Sequence, residues 1–126
     1  MSLPKFRAWD KKAEVMREIK ALIWEENNLI AHCPPRGHEY NEWFTVALQG
    51  CEYQLMQSTG MKDKNGVEIY EGDIVSNKEF TGEVYYTSRG TWDCASYILG
   101  GYNEKSEVIG NIFENYELLK EGTSWN

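Results

Sequence analysis

Four carboxylates, Glu68, Glu71 and Asp73 with Glu83 on the following run, come nearest to a reactive set in this 126-residue chain. Residues two apart on a strand share a face, so Glu71 and Asp73 converge if the backbone between them stays extended. A pair of that kind serves hydrolysis as general acid and base, or holds Mg²⁺. Gly72 between them signals a turn that would aim the two apart. Just upstream, Asp63-Lys64-Asn65-Gly66 looks like the start of a calcium loop. Setting Gly66 at the sixth position puts Met61 first and Gly72 twelfth, where carboxylates are required. The EF-hand reading fails.

Other chemistry is weaker still. No Gly-Lys-Ser or Gly-Lys-Thr occurs, and no G-x-G-x-x-G follows a strand, so phosphate cradling by a P-loop or dinucleotide fold is not expected. His32, Cys33, His38 and Cys51 are zinc-ligand types. However, His32 and His38 are separated by Pro34 and Pro35 and lack the usual H-x₃₋₅-H spacing. No metal and no cofactor are expected. The three cysteines are widely spaced and odd in number, which argues against a disulfide framework and for a reducing compartment. A cysteine nucleophile would need a thiolate held by His, and no local signature supplies one. Trp9, Trp92, Tyr85 and Tyr86 are a possible stacking platform for single-stranded nucleic acid, but no basic groove accompanies them.

The elements that must position these residues read mainly as strands. "LPKFRAWD" alternates like a strand with one wet face. Ile19 to Trp24 and Leu29 to Cys33 fit two strands reversed by Glu25-Glu26-Asn27-Asn28, with the asparagines accepting φ > 0. The same window tolerates an amphipathic helix from Lys11 to Trp24. Residues 34–42 form a loop marked by two prolines and a glycine, and "WFTVALQGCEYQLM" is strand-rich, with Gly50 a bulge or break. "FTGEVYYTS" and "TWDCASYIL" form a hairpin about Arg89-Gly90. A strand through Val108–Ile112 and a short helix near Glu114–Leu119 close the chain. The expectation is one mainly-β domain over residues 1–126, a small β-barrel with short helical segments.

Within that frame the stretch "TGMKDKNGVEIYEGDIV", residues 59–75, has an explanation in backbone geometry. Asn65-Gly66 is a strong type I′ hairpin signal. Thr59-Gly60 and Glu71-Gly72-Asp73 mark two further places where a Cβ would intrude. Asp63 and Asp73 can accept backbone N–H bonds, while Ile69, Ile74 and Val75 supply buried anchors. The same loops can also display a binding surface made of Asp63, Lys64, Asn65, Glu68, Glu71 and Asp73.

Composition bounds the partners. Apolar residues make up 41% and aromatics 13%, enough for a packed globule. The net charge of −7 argues against nonspecific nucleic-acid binding. Residues 106–126 hold four acidic groups and one basic, so this segment is a candidate contact for a basic partner. No apolar run approaches a membrane span and no signal-peptide core is present, so no membrane partner is expected.

"LMQSTGMKDKNGVEIYEGDIV" at residues 55–75 closely resembles the signature of the YopX family of phage and prophage proteins. "KFRAWD" at 5–10 resembles that family's opening and "EVIGNIFENYELL" at 107–119 its close, with Tyr116 where the family commonly has Pro. The resemblance implies a mainly-β fold built around a small barrel, and a setting in the cytoplasm of a bacterial host. It brings no catalytic residues. The resulting expectation is a non-enzymatic accessory protein that works by binding, as a homo-oligomer, to a protein partner the sequence does not name. The alternatives are a small metal-dependent hydrolase using Glu71, Asp73 and Glu83, and a binder of single-stranded nucleic acid.

Overall fold

The structure, a computed structural model, describes residues 5–35, 44–48 and 52–119. Its architecture is mainly β, with a curled, half-barrel sheet, as the sequence implied. Two compact units divide between Gln57 and Ser58.

In the N-terminal unit, β1 (Phe6–Asp10) pairs antiparallel with β2 (Val15–Glu18), and β3 (Ala21–Glu25) pairs with β4 (Asn28–Cys33), which in turn pairs with β5 (Phe44–Ala47). The 11–24 segment is therefore a turn and two strands and not a helix. Asp10 explains why the chain reverses after β1. Its Oδ1 accepts the N–H groups of Lys12 at 3.1 Å and Ala13 at 3.0 Å, and Glu14 follows in the left-handed region at φ 56°. Asp10 Oδ2 meanwhile accepts Arg17 Nη2 at 2.8 Å and Nε at 3.1 Å. Both side chains are buried, so losing either partner would leave an uncompensated charge. The β3–β4 reversal is tighter than expected: Glu25 faces Asn28, and Glu26 takes the left-handed φ of 54°. Trp24 on that hairpin is 72% exposed.

One long strand, β6 (Tyr53–Lys62), pairs with β1 through its first half and with β7 (Glu68–Tyr70) through its second. The C-terminal unit continues with β8 (Asp73–Ser76), β9 (Thr81–Tyr86), β10 (Trp92–Cys94) and β11 (Tyr97–Ile98). Two 3₁₀ turns follow, Leu99–Gly101 and Asn103–Lys105, and then β12 (Glu107–Asn111). The sheet order is β11-β10-β9-β8-β12. Alternation places Gly82 and Val84 of β9 inward, and the core gathers Ile69, Val75, Phe80, Val84, Cys94 and Leu99. All three expected anchors, Ile69, Ile74 and Val75, are fully buried.

Two local expectations change. Among the described residues the closing helix begins at 117 and not near Glu114. Asn111 takes the preceding backbone instead, its Oδ1 accepting the N–H groups of Phe113 and Glu114 at 3.0 and 2.9 Å. The β8–β12 register also slips between Val108 and Gly110, leaving Ile109 as a bulge. Gly110 is needed there, since a Cβ would lie 2.8 Å from the Cβ of Asn115.

Candidate functional site

The β6–β7 loop is built on Asp63. Its N–H donates to the Val67 carbonyl at 2.8 Å, and the Gly66 N–H donates back to the Asp63 carbonyl at 3.0 Å. Gly66 has φ +81°, while Asn65 is not left-handed. This is the pattern of a type I turn followed by a left-handed glycine, and not the expected type I′ turn. The reason lies in the side chain: Asp63 Oδ1 accepts the N–H groups of Asn65 at 2.8 Å and Val67 at 2.9 Å, which holds the loop in the wider form. The β9–β10 loop repeats the arrangement with Thr87, Gly90 and Thr91 in the equivalent places.

Asp63 also reaches across the sequence. Its Oδ2 accepts the Val108 N–H at 2.9 Å, and the neighbouring Lys64 N–H donates to the Ser106 carbonyl at 2.9 Å. Burial pushes the Asp63 carboxyl up, but the N–H bonds from Val108, Val67 and Asn65 together outweigh it and hold it below the usual value. The carboxylate thus clamps its own loop to β12.

The other carboxylates of the stretch scatter. Asp73, also buried, accepts the Tyr70 N–H at 2.7 Å and organises the β7–β8 turn, where Gly72 has φ +86°. Glu68 is half-buried and accepts the Ser58 hydroxyl. Gly60 lies in an irregularity of the β6–β7 register and not in a turn of its own. Glu71 and Glu83 are half-buried, and burial first, then the Glu71 charge, push the Glu83 carboxyl up. Only Lys64 and Asn65 of the six singled-out residues are exposed.

The remaining candidates also separate. His32 and Cys33 are successive on β4 and point to opposite faces, while His38 and Cys51 lie outside the described residues. Among the described residues, no three His, Cys, Asp or Glu side chains gather as metal ligands. Burial raises the Cys33 thiol and drives Cys94 up to about 12, so both are protonated at neutral pH. Trp9 is buried and Trp92 packs against the core, which leaves Tyr85 and Tyr86 as the exposed rings of the supposed platform. Tyr86 meets Trp92 edge to face at 4.8 Å.

Sequence reading missed a cleft of about 360 Å³ lined by Asn77, Lys78, Glu79, Tyr102 and Lys105. No local motif marks it, because its walls come from segments more than twenty residues apart.

With this geometry in place, comparison decides the family. The model of the family described as YopX protein matches residues 5–120. The chain belongs to the YopX family. No curated protein matches it. A crystal structure of protein EF1440 from Enterococcus faecalis is similar to this YopX chain at 32% identity, covering 94% of this chain and 99% of the other, with a TM-score of 0.63. The quoted signature residues of the YopX family therefore include the Asp63 clamp, the Asp73 turn and the Ser58–Glu68 contact, all of which shape backbone. Among the described residues no helix is long and apolar enough to cross a membrane.

Proposed function

We propose that this protein is a phage or prophage accessory protein that acts by binding, without catalysis, and does so as a homo-oligomer. One observation carries the reading: β11, at one edge of the five-stranded sheet, exposes Tyr97 at 40% and Ile98 at 59%. On this two-residue edge strand the exposed ring and aliphatic side chain, and not a long backbone ladder, offer the contact area to another chain. The scatter of the carboxylates supports the non-catalytic part, since Asp63 and Asp73 serve backbone turns. Gel filtration with light scattering tests the assembly: the full chain is expected to run larger than its 14.6 kDa mass, and a monomer at micromolar concentration would remove that part.

A second reading keeps one specific support, the Glu71 charge acting on the half-buried Glu83 carboxyl. It makes the protein a metal-dependent hydrolase, with those two glutamates as ligands or as acid and base. Thermal shift with Mg²⁺, Mn²⁺ and Zn²⁺ separates the two, because an ion that binds only the folded state raises its melting point. The binding reading expects no rise. A rise abolished by Glu83→Gln would favour the hydrolase.

A further inference from the structure

The cleft between the β8–β9 turn and the two 3₁₀ turns has the build of a ligand site that the edge strand does not explain. Its volume of about 360 Å³ lies within the range of small-molecule pockets. Its walls are locked together from behind. Asn77 Oδ1 accepts the N–H groups of Glu79 and Phe80 at 2.7 and 3.0 Å, which fixes the turn. Asn77 Nδ2 donates to Ser106 Oγ at 2.9 Å, and that hydroxyl donates to the Tyr102 carbonyl at 2.7 Å. Ser106 is fully buried, so water does not compete for this relay. Beneath it the rings of Phe80, Tyr97 and Tyr102 meet pairwise, at 4.6 Å stacked and at 5.2 and 5.0 Å edge to face. A site held this way needs little reorganisation to bind.

Charge gives the ligand class. Residues 58–126 carry six Lys or Arg and twelve Asp or Glu. Two of those six cations, Lys78 and Lys105, line this cleft, one from each wall, against a single acid. That acid, Glu79, is exposed beside them. Lys105 Nζ stands 5.9 Å from the Tyr102 ring centre, so the ring orients one ammonium. Two compact ammonium groups on opposite walls match a phosphate monoester, which carries about −1.5 to −2 charge at neutral pH. Tyr102 adds an aromatic wall for the body of the molecule.

We propose that this cleft binds a small phosphate monoester of nucleoside-monophosphate size, its phosphate held between Lys78 and Lys105. None of the five lining residues belongs to β11, although Tyr97 of β11 packs against the lining residue Tyr102.

Isothermal titration of the full chain tests it with a nucleoside 5′-monophosphate, the parent nucleoside and inorganic phosphate. The monophosphate should bind with Kd of roughly 0.1–1 mM or tighter, and the nucleoside should give no saturable heat. Lys78 and Lys105 are exposed, so K78Q/K105Q should melt as the wild type does while binding at least roughly tenfold more weakly. Raising the salt should weaken the wild-type complex. Absence of binding by the monophosphate, or binding undiminished in K78Q/K105Q, would overturn the proposal. Inorganic phosphate binding as tightly as the monophosphate would overturn the part given to Tyr102.

Discussion

Replacing Asp63 with asparagine is the sharpest perturbation of the family signature. The wild-type carboxylate accepts three backbone N–H groups, two from its own loop and one from Val108 on β12. An asparagine keeps one carbonyl oxygen, which can still serve Asn65 and Val67. Its NH₂ group then faces the Val108 N–H, donor against donor. Hydrogen bonds to a charged group contribute about 1.5–3 kcal/mol each, and a stranded donor adds its own desolvation cost. Asn65 and Val67 are exposed, so water softens any loss there, whereas Val108 is half-buried in a strand. The expected cost of Asp63→Asn is therefore about 2–4 kcal/mol, a large part of the roughly 5–15 kcal/mol that holds a domain folded. Urea denaturation gives the total, and amide hydrogen exchange gives the place: protection should fall more at Val108 than at Val67.

The pH dependence carries a sign that checks the same clamp. The folded carboxyl sits below its usual 3.8, so the folded state binds fewer protons than the unfolded state through that range. Its stabilisation is complete above the unfolded value and is lost as pH falls through the folded one. The stability gap between wild type and Asp63→Asn should therefore narrow below about pH 4. A variant within about 0.5 kcal/mol of wild type at neutral pH, or a gap that widens in acid, would refute the clamp.

Other substitutions probe the backbone around it. Gly110→Ala would drive a methyl into the Asn115 side chain and release its bond to the Asn111 N–H, lowering stability by about 1–3 kcal/mol in thermal melts. Gly66→Val meets open space but must hold φ near +81°, so only backbone strain acts, on the order of 1–2 kcal/mol; an unchanged melting midpoint would remove the left-handed assignment. Ser96→Gly should go the other way. Ser96 is exposed at φ 71°, and relieving it should raise urea stability by about 0.5–1 kcal/mol, a result that a decrease would contradict.

The parts of the fold legible in the sequence were those written in short-range patterns. Ile69, Ile74 and Val75 announced themselves as anchors, and the Gly66, Gly72 and Gly90 reversals could be placed because left-handed backbone favours glycine. The choice between turn types was not legible. At Asn65-Gly66 it depends on where the Asp63 side chain points, and one of its three partners is 45 residues away. Among the described residues, the hairpin with both loop residues left-handed is instead Ala95-Ser96, between Cys94 and its partner Tyr97. Neither residue type favours that conformation, so no local signal pointed there. The turn roles of Asp63 and Asp73 were legible too, since each is a short acceptor beside a glycine-marked reversal. The Lys78–Lys105 cleft was hidden because its two walls meet only after the sheet has formed.

The central claim is that this YopX-family protein works by association through its sheet edge, and light scattering on the full chain with and without Ile98→Glu tests it most directly. Ile98 is exposed, so the substitution should leave the fold intact by circular dichroism while placing a charge on β11. Wild type is predicted to run as an oligomer and Ile98→Glu to fall towards the monomer. A wild type that is monomeric at micromolar concentration, or an oligomer indifferent to the substitution, would contradict the account.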